Sequence, residues 1–252
     1  GKVAFRSQRV IDIAARFGFG ASHRFHEIGC AFGGTVAALN RAGFTATGTD
    51  LNADAIAHAV AAGNDALGAG TGIEFLRERG LRPNIVYGYH VLEHMADPVA
   101  YLRDLRACLA DDAIVIMFVP NAMVLHASIY GFMRYSWFAY PEHLTMFAPG
   151  SAPCYAQQTG YDLLDIQSAT SAIEPELLGA AIAPRLASRV TDALFDRMVN
   201  ASLAGEELVM VFTPSGSALS ARFPTDRAVA ERVCETNRGP EVALRTLGET
   251  AE

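Results

Sequence analysis

The chain reads as an α/β domain with a doubly wound, mostly parallel sheet of seven strands and helices on both faces. Three observations predict this. Apolar, strand-like runs alternate with amphipathic, helix-like runs along most of the 252 residues. A glycine-punctuated turn, Gly29-Cys30-Ala31-Phe32-Gly33-Gly34, joins the short strand ending His26-Glu27-Ile28 to a helix. An acidic residue, Asp50, ends the next strand within Gly48-Thr49-Asp50-Leu51-Asn52. The last two together are the layout of a nucleoside-binding βαβ unit.

The elements follow in order. Arg9 to Phe17 reads as an entry helix, with Val10, Ile13, Ala14 and Phe17 on one face. Strand one is expected at Arg24 to Ile28, its helix at Gly34 to Arg41, and strand two at Thr45 to Thr49. Asn52 caps a helix running to Ala62, which Gly63 ends. Strand three is short and glycine-rich, Ala66 to Gly70, and strand four ends at Tyr89. Asp97 as cap and Pro98 at the first helical position start a helix whose Val99, Leu102, Leu105 and Leu109 face the core. Ala113 to Val119 has the near-continuous apolar character of a buried central strand. A helix from Gly150 to Thr159, a strand from Leu163 to Ser168 and a last strand from Glu207 to Thr213 complete the pattern.

Two segments interrupt it. Residues 121–148 hold Tyr130, Phe132, Tyr135, Trp137, Phe138, Tyr140 and Phe147, and residues 171–204 read as mostly helical. Insertions at these places lie over the carboxyl ends of the strands, where ligands bind in such sheets, so they are expected to form a helical and aromatic lid. Most of these rings are expected to pack the lid rather than touch a ligand. The tail, residues 216–252, is polar, with an amphipathic helix expected at Arg227 to Thr236. The whole chain is read as one domain.

Composition narrows the function classes. The chain is 51% hydrophobic, enough to bury one large core. A formal net charge of -7 and the lack of a basic patch argue against a nucleic-acid partner. No apolar run reaches membrane-spanning length and the first residues do not read as a signal peptide, so a cytoplasmic protein is expected. The four cysteines are scattered without a C-x-x-C pair, which indicates neither a disulfide framework nor a structural zinc site, and no metal is expected. The oligomeric state is left open, a homodimer included.

The turn itself discriminates between nucleosides. A pyrophosphate cradle wants G-x-G-x-x-G, whereas Gly29 and Gly33 are separated by three residues with no central glycine. A carboxylate at Glu27 would repel a pyrophosphate but attract an ammonium or sulfonium group. S-adenosylmethionine carries both cations, and Asp50 would accept hydrogen bonds from its ribose hydroxyls. The alternative is that Gly29 and Gly33 only permit a tight turn, with Glu27 and Asp50 as ordinary strand ends. An NAD-dependent oxidoreductase is disfavoured by the same spacing.

At these residues the chain resembles the class I S-adenosylmethionine-dependent methyltransferases, and within them the small-molecule branch that includes the ubiquinone-biosynthesis O-methyltransferases. Three further segments carry the likeness: Ile85-Val86-Tyr87-Gly88-Tyr89-His90-Val91-Leu92-Glu93-His94 with Asp97-Pro98; Ala113 to Asn121 with its Pro120-Asn121 ending; and Pro141-Glu142-His143-Leu144-Thr145-Met146-Phe147-Ala148-Pro149. The resemblance implies a Rossmann-like methyltransferase fold and S-adenosyl-L-methionine as cofactor. Glu27, Gly29, Cys30, Gly33, Asp50 and Leu51 stand in its first two segments. It further implies that Thr71 and Gly72 lie at the adenine, and Tyr89 and His90 beside the methionine end.

The acceptor is read as a small molecule, methylated at a hydroxyl oxygen: a phenol, a polyketide-like metabolite or a sugar bearing an apolar group. Nitrogen and carbon acceptors remain open, as does a cofactor-binding protein without catalysis. A hydroxyl acceptor must lose a proton, and histidine titrates near neutrality. His143 is the first choice as general base, with Glu142 able to share or replace that role, against the alternative that His143 only holds the lid. His94 is read as structural. One rival motif remains, because His90-Val91-Leu92-Glu93-His94 spells H-x-x-E-H, a zinc-protease signature. That chemistry needs His90 and His94 on one face of an established helix, yet the string directly follows an apolar strand.

Overall fold

A computed structural model describes residues 1–124, 139, 141–169 and 200–223 of the chain. Seven strands form one sheet: β1 (Arg24–Ile28), β2 (Thr45–Asp50), β3 (Leu67–Ala69), β4 (Ile85–Tyr89), β5 (Ile114–Pro120), β6 (Tyr161–Ala169) and β7 (Glu207–Pro214). Their spatial order is β3-β2-β1-β4-β5-β7-β6. β1 pairs in parallel with both β2 and β4, and β4 with β5. β7 runs antiparallel between β5 and β6, the one reversed strand of the sheet. The order reverses between β1 and β4, and in an open α/β sheet the crevice at such a reversal, outside the carboxyl ends of the strands, is where ligands bind.

Alternation along β5 shows how the sheet is buried on both sides. Ile114, Ile116 and Phe118 enter one core, while Val115, Met117 and Val119 enter the other. The first core is closed by α1 (Lys2–Arg16), α2 (Gly34–Arg41) and α3 (Ala53–Ala61), through Val10, Ile13, Val36, Leu39 and Ile56. The second is closed by α4 (Gly72–Glu78), α5 (Pro98–Arg106) and α6 (Ala152–Thr159), through Phe75, Leu76, Leu102, Leu105 and Ala156. Of the face expected on α5, Leu102, Leu105 and Leu109 are buried and Val99 is half-buried. A short last helix, α7 (Ala218–Arg222), returns Leu219 to the first core.

The differences from the sequence reading have local causes. α1 begins seven residues before the expected start, at Lys2, where the Phe5 amide donates to the carbonyl of the N-cap Gly1 at 3.2 Å and opens the helix. α4 was not expected at all. Thr71 starts it: its hydroxyl accepts from the Glu74 amide at 3.3 Å and donates to the Glu74 carboxylate at 3.0 Å. β6 begins at Tyr161, immediately after Gly160 ends α6 with φ +77°. α7 lies in what reads as polar tail and is capped by Ser217.

The ring cluster expected over the crevice is described only at Phe147, which is fully buried. Tyr130, Phe132, Tyr135, Trp137, Phe138 and Tyr140 lie outside the described residues, as do most of the 171–204 insertion and the helix expected at 227–236. Among the described residues, no helix is long and apolar enough to cross a membrane.

Candidate active site

The site forms where β1, β2, β3 and β4 end. Gly29 follows β1 with φ +70°, and a Cβ there would meet Val91 Cγ2 at 2.5 Å, so the loops after β1 and β4 touch only because this residue lacks a side chain. Gly33 starts α2 at φ +67°, packed against Leu67. Between them Ala31 takes φ +48°, a left-handed position that a non-glycine residue rarely adopts. Its amide is put to use there, donating to Asp50 Oδ2 at 2.7 Å, while the Asn52 amide donates to Asp50 Oδ1 at 2.8 Å. The carboxylate is thereby fixed in orientation with both oxygens keeping lone pairs for a further donor.

Asp50 faces a crevice of about 560 Å³, of the size that holds a nucleoside-like ligand. Of the residues picked from the sequence, Gly29, Asp50, Leu51, Thr71, Gly72 and His90 line it. Glu27, Cys30, Gly33, Tyr89, Glu142 and His143 do not. The Leu51 side chain is 79% exposed at the edge of this space, an apolar face without a protein partner.

Glu27 lies just beneath the floor, 3% exposed, with the Tyr87 hydroxyl 3.4 Å from its Oε2. Burial pushes its carboxyl up to about 8, against the Tyr87 hydrogen bond and the Arg6 charge. Cys30 is buried with its thiol pushed up to about 12, first by burial and then by the nearby Glu27 and Asp50 carboxylates. It packs where a Gly48 Cβ would otherwise sit. Tyr89 turns to the other side of its strand, stacked on Phe118 at 3.8 Å and donating its hydroxyl to the Arg6 carbonyl at 3.0 Å.

His90 sits past the end of β4 with φ +56°, its Nε2 3.1 Å from Glu207 Oε2 and its Nδ1 3.3 Å from Glu93 Oε1. Burial opposes its charged form, but the nearby carboxylates of Glu207, which is hydrogen-bonded to it, and of Glu93 outweigh burial and raise its pKa. Glu207 also pairs with Arg9, and although burial works the other way, His90 and Arg9 hold its carboxyl below the ordinary range. The H-x-x-E-H string forms no helix that could present His90 and His94 on one face. It is a left-handed residue followed by a single 3₁₀ turn at Leu92–His94.

Two motifs far apart in sequence meet here. The Leu144 and Thr145 amides donate to the Glu93 carbonyl at 2.7 and 3.1 Å, and His94 Nδ1 lies 2.9 Å from the Glu142 carbonyl. His143, half-buried, meets His94 edge to face with ring centres 4.7 Å apart. Glu142 is exposed and contributes its backbone carbonyl.

Sequence reasoning missed several lining residues: Thr49, Gly70, Val91, His94, Met95, Ala96, Asp97 and Tyr101. Tyr101 is the most informative. Its hydroxyl is buried with no hydrogen-bond partner among the described residues, close to Thr49 and His26 across the space left by Gly72. The available signal was a polar-tipped ring next to the apolar stripe of α5. His26 is a neutral core histidine held by Thr47 at 2.9 Å, its pKa lowered to about 3 by burial.

The chain belongs to the methyltransferase-domain family, whose sequence profile matches residues 3–166. Its sheet, with the single reversed strand, is that of the class I S-adenosylmethionine-dependent methyltransferases. Among solved structures it is similar to an S-adenosylmethionine-dependent methyltransferase from Archaeoglobus fulgidus, at 16% identity and a TM-score of 0.57, over 84% of this chain and 95% of that one. It is also similar to magnesium protoporphyrin IX methyltransferase from Synechocystis with bound S-adenosylhomocysteine, at 12% identity and TM-score 0.54, covering 83% and 82%. The cyclase SpnF matches at 15% identity and TM-score 0.53, covering 82% and 80%. No match was found among curated protein sequences.

The Glu27 environment gives a stability test. Its folded-state pKa lies above that of the unfolded chain, so its contribution is fully present at about pH 4 and is lost as pH rises through about 8. The wild-type melting temperature should therefore fall relative to that of Glu27→Gln between about pH 5 and 9, measured by scanning calorimetry. Parallel curves for the two proteins would contradict it.

Proposed function

We propose that the chain methylates a small molecule, with a hydroxyl oxygen as acceptor, and holds S-adenosylmethionine in the crevice between β1 and β4. The observation that carries this is the Asp50 carboxylate, anchored by two amides at the edge of that crevice. The crevice suits the cofactor on three counts. Asp50 keeps acceptor capacity for a ribose diol, the exposed Leu51 offers an apolar face to a base, and the buried Tyr101 hydroxyl lacks a partner that the polar edge of a base would supply. When bound, the cofactor supplies an electrophilic methyl group on a sulfonium.

The protein's own groups then have separable tasks. Asp50 and Leu51 hold the nucleoside, with Thr71, Gly72 and Tyr101 at its base. Gly29 and Gly33 shape the loop so that backbone, not side chain, borders the ligand, with Cys30 packed behind them. Glu27, whose protonated form burial favours in the free protein, would ionise as a cationic amino group arrives. His90 borders the same end, and Tyr89, off the crevice, supports the strand before it through its packing on Phe118. Removal of the acceptor's proton falls to the cluster where His94 and His143 meet, with Glu142 holding the His94 tautomer through its carbonyl.

Asp50→Ala should weaken binding of S-adenosylhomocysteine by about 1 to 3 kcal/mol in calorimetry, the range for losing a charged hydrogen-bond partner. Unchanged affinity would remove the ribose assignment. With an acceptor in hand, His143→Ala should lower kcat by about 10²-fold or more while cofactor affinity stays within about twofold. Turnover equal to wild type would reject any role for that residue in oxygen methylation.

A further inference from the structure

We propose that Glu93, His94 and His143 form a binding site for a borderline-soft divalent metal ion, of which Zn²⁺ is the type, on the wall of the crevice. The ligand atoms of these three residues all lie within 4.8 Å of one another. Metal–ligand bonds of about 2.0 to 2.2 Å place tetrahedral ligands roughly 3.4 Å apart, so the cluster has to close by about an ångström. That closure brings in His143, half-buried on a loop, from its edge-to-face contact with His94.

Three features distinguish the cluster from a chance meeting of polar side chains. Glu93 is 0% exposed, and neither of its carboxylate oxygens has a hydrogen-bond partner among the described residues. His90 Nδ1 approaches Oε1 at 3.3 Å, off the hydrogen-bonding direction, and leaves the second oxygen unanswered. A buried carboxylate in that condition is costly, and a cation beside it removes the cost. His94 has its Nδ1 against the Glu142 carbonyl at 2.9 Å, which places the proton on Nδ1 and leaves the Nε2 lone pair for a ligand. The edge-to-face approach of His143 brings the second imidazole to the same place.

The donor set selects the ion. Two imidazoles and one carboxylate, with a fourth position open, is the arrangement of catalytic zinc. Calcium and magnesium, which take oxygen donors, are disfavoured. His94 lines the crevice, so the site borders the space in which the cofactor is proposed to bind. Two of the ligands belong to the H-x-x-E-H string, but the third comes from the Pro141–Pro149 segment and not from His90, which faces Glu207. The role of the ion rests on the oxygen-acceptor reading above: a hydroxyl bound at the open position ionises more readily, its proton passing to water. The His94 and His143 cluster then serves the loss of that proton through the ion it holds.

The test is a calorimetric titration of the whole chain, stripped with a chelator, with Zn²⁺ in the absence of cofactor and acceptor. We expect one equivalent to bind, with affinity weakened at least tenfold in His143→Ala and in Glu93→Gln, and unchanged in His23→Ala, whose imidazole lies elsewhere. No binding, or affinity unmoved by both substitutions, overturns the proposal. If circular dichroism shows Glu93→Gln unfolded, His143→Ala decides alone. A parallel titration with S-adenosylhomocysteine keeps the readings separate: zinc uptake can fail while the cofactor binds, and the reverse.

Discussion

Asp50 accepts one hydrogen bond from the Ala31 amide and one from the Asn52 amide, and those two bonds tie the loop after β1 to the loop after β2. The Ala31 amide points at the carboxylate because the residue adopts a left-handed backbone, flanked by glycines at 29 and 33 that do the same. Gly29 in turn lets the β1 loop touch Val91 after β4. The crevice is thus the space left when three strand ends are pulled together around one charge. Its depth, its polarity and the direction of its acceptor atoms all follow from that constraint.

Charge is handled differently at the two ends of this space. Around Asp50 it is satisfied by backbone dipoles, which do not titrate. At His90 it is satisfied by other side chains, in a chain that runs Arg9, Glu207, His90, Glu93. These groups come from α1, β7 and the loop after β4, so their association depends on the whole sheet being assembled. Glu27 stands apart from both. Burial, with a smaller push from the Asp50 charge, favours its protonated form, and arrival of a positive charge is what would release the proton.

The strands were legible because each is a short apolar run bounded by glycine, asparagine or aspartate, and the alternation of strands and helices then dictates a parallel sheet. The position of β7 was not, since its antiparallel insertion between β5 and β6 is a matter of tertiary pairing. α4 was hidden by a competing interpretation of Thr71, whose hydroxyl caps a helix while its residue also borders the crevice. At the site, backbone requirements carried best: Gly29, Asp50 and Leu51 reach the crevice because a strand end can point nowhere else. Tyr89 and Glu27 were harder to place from sequence, because strand alternation decides which face they take. Tyr101 and the meeting of Glu93, His94 and His143 were invisible, because each requires elements that only the folded sheet brings together.

The account turns on the crevice being built for a nucleoside with a positively charged amino-acid end and no pyrophosphate. Calorimetric titration of the unmodified chain with S-adenosylhomocysteine and, separately, with NAD tests this most directly. Saturable one-to-one binding of S-adenosylhomocysteine with no heat from NAD is the expected result. Preference for NAD would contradict it.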